Sequence, residues 1–431
     1  MRKHFAAALV LTALLSACAT PPDLTALETA VTTRQARLPA SLAKDEFGLA
    51  VKQALATSPI MGRGQAALRE AQASLLAEGG AFLPQVSLGL RPEGSGGLDL
   101  TSFGAISQLI YDGGASHARE TAAKAHVLGG LAGRFDAGSR AALSAVEAWS
   151  AVATARALVR VSEASLTALE ATTVQIEDRT SAGLGSSVDV LTARSRLANE
   201  RAAVVAAQSE ATRAEAIFVE TFGHAPKSGL TLPPQAPPAP DSRAIASPIL
   251  QRAEAELLAA QAEHAAVLAG RAPTLSLTAS AIPGAQPVAG LASQQLLSPA
   301  RGRTAKLAAA EARIDARRVD LDATRRELES RSRILTAELL AVANRLAATQ
   351  AAREANRANL LVAREQFEAG RRTLIELLDA ERETLASERQ QILAEHHQSV
   401  LGYAVLAASG DILDVFGVTL AAEPSSSQAV E

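Results

Sequence analysis

Along residues 303–368 the apolar positions recur every seventh residue, at Ile314, Leu321, Leu328, Leu335 and Val342, with Leu339 and Leu346 adding a neighbouring seam. This spacing predicts a coiled-coil helix from Arg303 to Glu368. A second rod is predicted from Ala115 to Arg179, where the seam passes through Leu128, Leu131, Phe135, Ala142, Ala145, Trp149 and Val152. Gly138 lies in line with that seam and alanine fills its flanks, so neighbouring helices are expected to approach closely on both sides. At 1.5 Å per residue each rod is about 100 Å long, which no compact domain contains. Shorter alternating runs predict strands at Gln85–Leu90, Phe103–Tyr111, Thr274–Ala281 and Val288–Leu297. The glycine-rich Gly94–Gly97 separates the first pair, and Pro273, Pro283 and Pro287 frame the second.

The pattern is written twice. Ser58, Pro59 and Ile60 recur as Ser247, Pro248 and Ile249, and the same shift of 189 residues carries Arg63 to Arg252, Leu68 to Leu257 and Pro84 to Pro273. With two residues lost, Ala182 and Gly183 fall on Ala369 and Gly370, and Leu191 on Leu378. Each copy reads as an opening helix, two strands, a long helix, a tight turn and a returning helix. The organisation expected is a leader at 1–17, an anchor and linker at 18–44, a first repeat at 45–225, a proline-rich linker at 226–241, a second repeat at 242–415 and a tail at 416–431.

Composition narrows the class. Aromatic residues make up 3% and charged residues 20% of the 431, a profile of helices with small packing faces rather than of bulky cores. A net charge of −3 gives no footprint for nucleic acid. Arg2, Lys3 and His4 precede an apolar run, Phe5–Leu15, too short to span a bilayer. Cys18, the single cysteine, follows Leu15, Ser16 and Ala17, which resembles the lipobox of bacterial lipoproteins and implies acylation of its sulfur. Nowhere else do eighteen or more apolar residues run uninterrupted, so a spanning segment must be built of strands. Four strands cannot close a membrane barrel, since about eight is the minimum, and several chains are therefore required. Phe82, Phe103 and Tyr111 are the candidates for an interfacial aromatic girdle.

Catalysis has no support: there is no P-loop, no HExxH, no cysteine nucleophile and no dinucleotide turn, and no cofactor is implied. His396 and His397, adjacent on a charged helix, are expected on a solvated face. Thr373 followed by Glu376 reads as a capping box, and Ser186 with Asp189 is nearly one.

Two stretches carry a family resemblance. Gln108–Gly114, which ends in Tyr111, Asp112, Gly113 and Gly114, and Phe367–Ala380 are similar to the strand-to-helix turn and the periplasmic tip of the TolC-like outer-membrane factors. The likeness extends from about residue 45 to 415. It departs at Ser298–Arg301, where the second copy lacks the turn motif, and at Phe367, where the family often has tyrosine. It implies a mainly α fold with a small β part: a trimeric α-helical barrel topped by a 12-stranded transmembrane β-barrel. It further implies a passive exit duct anchored in outer-membrane lipid. The partners implied are a periplasmic adaptor and an inner-membrane ABC exporter or proton-driven pump. Glu376 and Asp379, with Arg372 able to pair with them, are implied as the periplasmic gate. Gly183, Gly185, Asp189, Gly370 and Thr373 are implied as tip positions contacted by an adaptor. The tip and the closing Leu406–Leu413 lean toward type I protein secretion, which is the reading favoured here, whereas the lipobox fits small-molecule efflux, kept as the alternative. A periplasmic coiled-coil adaptor lipoprotein is the rival of another class, disfavoured because it has no use for two hairpins alternating with four strands.

Overall fold

The computed structural model describes residues 20–34, 36–92, 100–239, 247–281, 286–294 and 300–420. The leader, Cys18, Gly94–Gly97, the end of the fourth expected strand and the tail beyond Glu423 lie outside these residues. The first repeat consists of α2 (Glu46–Thr57), α3 (Pro59–Gly79), β1 (Gln85–Pro92), β2 (Leu100–Tyr111), α4 (Ala115–Ser181) and α5 (Ser187–Phe222). The second consists of α6 (Pro248–Ala269), β3 (Thr274–Ala281), β4 (Val288–Gln294), α7 (Ala300–Glu368), α8 (Leu374–Ser409) and α9 (Ile412–Val415). The rods α4 and α7 run 67 and 69 residues.

The four strands form one antiparallel sheet in the order β1-β2-β3-β4. The helices repeat that order below it, because α3 runs into β1, β2 into α4, α6 into β3 and β4 into α7; the side-by-side contacts are accordingly α3–α4, α4–α6 and α6–α7. Farther down the wall α5, α4, α8 and α7 lie side by side. Within the chain the sheet therefore ends at β1 and β4, and the helical wall ends at α7 on one side and at α3 or α5 on the other.

Cross-strand partners place Val86, Leu88, Ile106, Leu277 and Leu291 on one face of the sheet, each 45–85% exposed. The opposite face carries Gln85, Ser87, Ser107, Ser276, Thr278 and Ser280, interrupted by Leu109 and the exposed Val288. Phe103 falls on this polar face, where its ring covers Gly89 so closely that an added Cβ would sit 2.6 Å from Cε1. It therefore cannot belong to a lipid-side girdle. Register, which a run of residues does not display, decides this.

The main core is a belt at mid-height. Phe47 packs edge-on against Trp149, Tyr403 and Phe416 at 5.2–5.9 Å, and Phe218 stacks on Phe222 at 4.3 Å. The proline-rich segment is a strap on this belt rather than a free linker: Trp149 Nε1 donates to Thr231 O at 2.8 Å and Tyr403 OH donates to Pro234 O at 2.9 Å. Phe416, expected in the tail, is fully buried in the belt. The expected linker after Cys18 contains a helix, α1 (Thr25–Thr32), whose Leu27 and Val31 are buried against Leu68, Leu128 and Leu131. Along α4 one window is apolar enough to pass for a membrane helix by composition, but half of it is buried by these neighbours. On α7 the heptad seam is only partly used, with Leu321 and Val342 buried and Leu339 39% exposed. Phe47→Ala should cost about 3–5 kcal/mol, the usual range for a buried phenylalanine, read as a lowered midpoint of thermal unfolding in detergent; an unchanged midpoint would mean the belt does not hold the two repeats together.

Candidate functional site

Sheet and wall join at the turn Asp112-Gly113-Gly114. The buried Asp112 carboxylate accepts from Gly114 N at 3.1 Å and Ser116 N at 2.7 Å, satisfying donors at the start of α4. Both glycines have positive φ, +71° and +90°. At Gly113 a Cβ would also lie 2.4 Å from Ala272 Cβ and 2.8 Å from Ala269 O, so the second repeat's α6 approaches because this residue has no side chain. The reasons at the two positions differ: conformation alone at Gly114, conformation and space at Gly113.

At the far end the two tips are built alike. After α4, Leu184 N donates to Arg179 O and Gly183 N to Thr180 O, with Gly183 at φ +75°. After α7, Arg371 N donates to Gln366 O and Gly370 N to Phe367 O, with Gly370 at φ +68°. Glycine ends each rod in a left-handed residue that satisfies the last carbonyls. Gly185 has another reason, since a Cβ there would meet Thr180 Oγ1 at 2.6 Å. Each returning helix then opens with a complete capping box, Ser186 with Asp189 and Thr373 with Glu376.

The capping box determines what Glu376 does. Its Oε2 accepts from Thr373 N at 2.9 Å and Thr373 Oγ1 at 2.7 Å. These bonds, and to a smaller extent the charge of Arg372, hold its carboxyl below the ordinary carboxylate value. Asp379 lies one turn farther along α8 and is approached not by Arg372 but by Arg196 of α5 at 3.6 Å and Arg382 at 3.4 Å. Arg372 sits in the turn before the cap and makes no ion pair among the described residues. Arg382, three residues along the same helix, is readable from spacing as a partner of Asp379, whereas Arg196 stands on α5 and reaches Asp379 only in the fold. The same holds for Arg179, whose guanidinium lies 5.0 Å from the Phe367 ring centre and donates to Phe367 O at 3.2 Å, joining the two tips. Beneath them Leu169, Ile176, Leu374, Leu377 and Leu378 form a small core.

His396 is not on a solvated face. It is half-buried between α4 and α8, with Nδ1 2.8 Å from Ser150 Oγ and 3.1 Å from Thr154 Oγ1, and burial and then His397 lower its pKa. Adjacent helix positions point about 100° apart, so one of the pair turned inward when α8 packed against α4. Among the described residues no group of three or more His, Cys, Asp or Glu could hold a metal ion.

Residues 50–224 match the family described as outer membrane efflux protein. The outer membrane protein VceC of Vibrio cholerae superposes with a TM-score of 0.76 at 18% identity, over 85% of this chain and 96% of that one. The outer-membrane channel OprN gives 0.75 at 21%, over 91% and 99%. The open state of the MtrE outer membrane channel of Neisseria gonorrhoeae gives 0.75 at 16%, over 90% and 96%. No curated protein matches with significance. The chain as a whole carries the fold of TolC-type outer-membrane channels. The match to the outer membrane efflux protein family lies within its first repeat.

Gly113→Ala should lower the melting temperature of the detergent-solubilised particle more than Gly114→Ala does, since only the first adds a clash to the strained φ. Equal losses would mean the approach of α6 is not constrained there. A carboxyl whose folded pKa is depressed stabilises the fold above its unfolded pKa, and that contribution disappears as pH falls through the folded value. Amide exchange at 374–378, corrected for its intrinsic pH dependence, should therefore rise only below the ordinary carboxylate range. In Thr373→Ala it should be raised already at pH 7. Exchange that rises toward alkaline pH would contradict this account of Glu376.

Proposed function

We propose that three copies of this chain form a passive exit duct across the outer membrane and periplasm, in which the sheets close a 12-stranded barrel and the helices a tube beneath it. The observation that carries this reading is the sheet itself: an apolar face suited to lipid, a more polar face suited to a water-filled lumen, and two edges, β1 and β4, that find no partner among the described residues. An unpaired strand edge in hydrocarbon leaves backbone groups unsatisfied at several kcal/mol each. Pairing β4 of one copy with β1 of the next removes every edge.

The amino-terminal strap supports attachment to the same membrane. Leu24 and α1 pack in the cluster that contains Val127 and Leu128, some 12 residues or about 20 Å below the start of α4. The six residues from Leu24 back to Cys18 can extend over about 20 Å, so an acylated Cys18 reaches the bilayer. At the opposite end Leu184, Val188 and Leu191 are 74%, 65% and 66% exposed and Ile375 is 61% exposed. This apolar rim around Gly183, Gly185, Asp189, Gly370 and Thr373 suits docking of a periplasmic adaptor, through which an inner-membrane transporter supplies the energy. Of the two cargo classes, small-molecule efflux has the better support, because the matched family is one of efflux proteins. The secretion reading rests on the tip and closing segments alone.

Asp379, and Glu376 within its cap, stand at the narrow end as the proposed cation-favouring constriction. Because Glu376 also caps α8, the informative variant keeps its shape: Glu376→Gln with Asp379→Asn. In planar bilayers the native protein should give a small, cation-selective conductance, and the double variant a larger and less selective one. An intact oligomer silent in both forms would overturn the duct reading in favour of an adaptor.

A further inference from the structure

The internal repeat writes one helix interface twice, once complete and once halved. In the complete copy the upper part of α4 lies beside α6. Ala115, Ala122 and Gly129 stand at intervals of seven on α4, Ala255, Ala262 and Ala269 at intervals of seven on α6, and all six are buried. Contact is direct at both ends of the rows: an added Cβ on Gly129 would lie 3.2 Å from Ala255 Cβ, and one on Gly113 2.8 Å from Ala269 O. Residues this small let two helix axes approach to about 8 Å, the short end of the usual range.

Register carries this interface over to the free edges of the wall. Gln85 pairs with Ser107 in the first hairpin and Thr274 with Gln294 in the second, so the repeat runs with a shift of 189 residues on the first strand and 187 on the second. The tip glycines Gly183 and Gly370 keep the second value. On α7, Ala115, Ala122 and Gly129 therefore become Gly302, Ala309 and Ala316. On α3 and just beyond it, Ala255, Ala262 and Ala269 become Ala66, Ala73 and Gly80. All six are again glycine or alanine. Here the rows are uncovered: Gly302, Ala309, Ala316, Ala66 and Ala73 are exposed, and among the described residues a Cβ added at Gly302 would meet open space. α3 and α7 stand at opposite edges of the wall, so one copy cannot bring the two rows together.

A charge follows the same mapping. Within the chain Gly133 stands opposite Arg252, whose Cδ would be 3.9 Å from an added Cβ. The equivalent positions hold Asp320 on α7 and Arg63 on α3, a carboxylate and a guanidinium. Arg63 is exposed and makes no ion pair among the described residues. Asp320 is 59% exposed and pairs with Arg317 at 3.3 Å through Oδ2.

We propose that α7 of one copy packs against α3 of the next in the register that α4 keeps with α6, Ala316 against Ala66, Ala309 against Ala73 and Gly302 against Gly80. Asp320 of the one copy then faces Arg63 of the other. The proposal rests on the duct reading and deepens it by naming the surfaces that meet. Direction agrees as well, because α3 runs into the sheet and α7 out of it, as α6 and α4 do. Two different edges joined head to tail form the kind of contact that closes a ring. The wall of the tube thereby repeats one small-residue contact around its whole circumference, alternately within a copy and between copies.

Cys18 is the only cysteine, so paired substitutions report on the contact and single ones serve as controls. In Ala66→Cys with Ala316→Cys, oxidation of outer membranes with copper phenanthroline should give a reducible band of three linked copies. Ala66→Cys with Ala309→Cys is offset by seven residues, about 10 Å along the helix. That offset exceeds the roughly 7 Å between Cα atoms that a disulfide spans, and the linked band should be about tenfold weaker. Should a cysteine pair fail to assemble, charge reversal decides: Arg63→Asp should lower the temperature at which the detergent particle dissociates, and Asp320→Arg added to it should recover most of the loss. A three-copy particle that links no better through Ala316 than through Ala309, or whose two reversals simply add, overturns this register and leaves the duct intact. A native particle of one copy removes the duct and the interface together.

Discussion

The proposed assembly depends on backbone hydrogen bonds that the described residues of one copy leave unmade at β1 and β4. Four strands with one apolar face would suit a bilayer, yet among the described residues β1 and β4 each present an unpaired edge, and lipid offers no substitute for a partner. The helices inherit the same incompleteness. Strand order and helix order are identical because each strand continues a helix, so closing the sheet also supplies neighbours for α3 and α7. The exposed part of the α7 seam, Leu339 among it, is the apolar surface left over for that contact.

Close packing of small residues makes the wall possible. Alanine and glycine on α4 let α3 approach one flank and α6 the other, and Gly113 lets the first turn of the wall pass beneath Ala272. Bulk is concentrated where the repeats meet, in the belt of Phe47, Trp149, Phe218, Tyr403 and Phe416, and the proline-rich strap is tied to that belt through Thr231 and Pro234. A rod of 67 residues is thus stiffened midway and free to differ at its two ends. The belt also fixes α8, the helix that opens with Thr373 and Glu376.

Much of this was legible in the residues. The heptads, the internal repeat and the turn glycines act within one helix or one turn, where local spacing decides the outcome, and the strands and rods lie where the periodicities predict them. What escaped depends on partners distant in sequence. The aromatic character of Phe103 is visible in the sequence, whereas the register that sets it on the face opposite Val86 and Leu88 is not. Arg196 reaches Asp379 only because α4 holds the start of α5 close to that of α8, and His396 turns inward only because α4 carries Ser150 and Thr154 at its level. At Glu376 the capping role would compete with the proposed gating role for one carboxylate: its capping bonds were readable from a spacing of three, and they would limit how freely it serves an acidic ring.

The central claim is that the chain is one third of a closed structure, and the most direct measurement is the mass of the particle extracted in detergent and released intact in native mass spectrometry. Closure of β4 onto β1 and of α7 onto the neighbouring wall predicts a single species of three copies, with no stable pair, since two sheets leave edges unpaired. A monodisperse particle of one copy would contradict the account, because the same chain would then hold two bare strand edges with nothing to satisfy them.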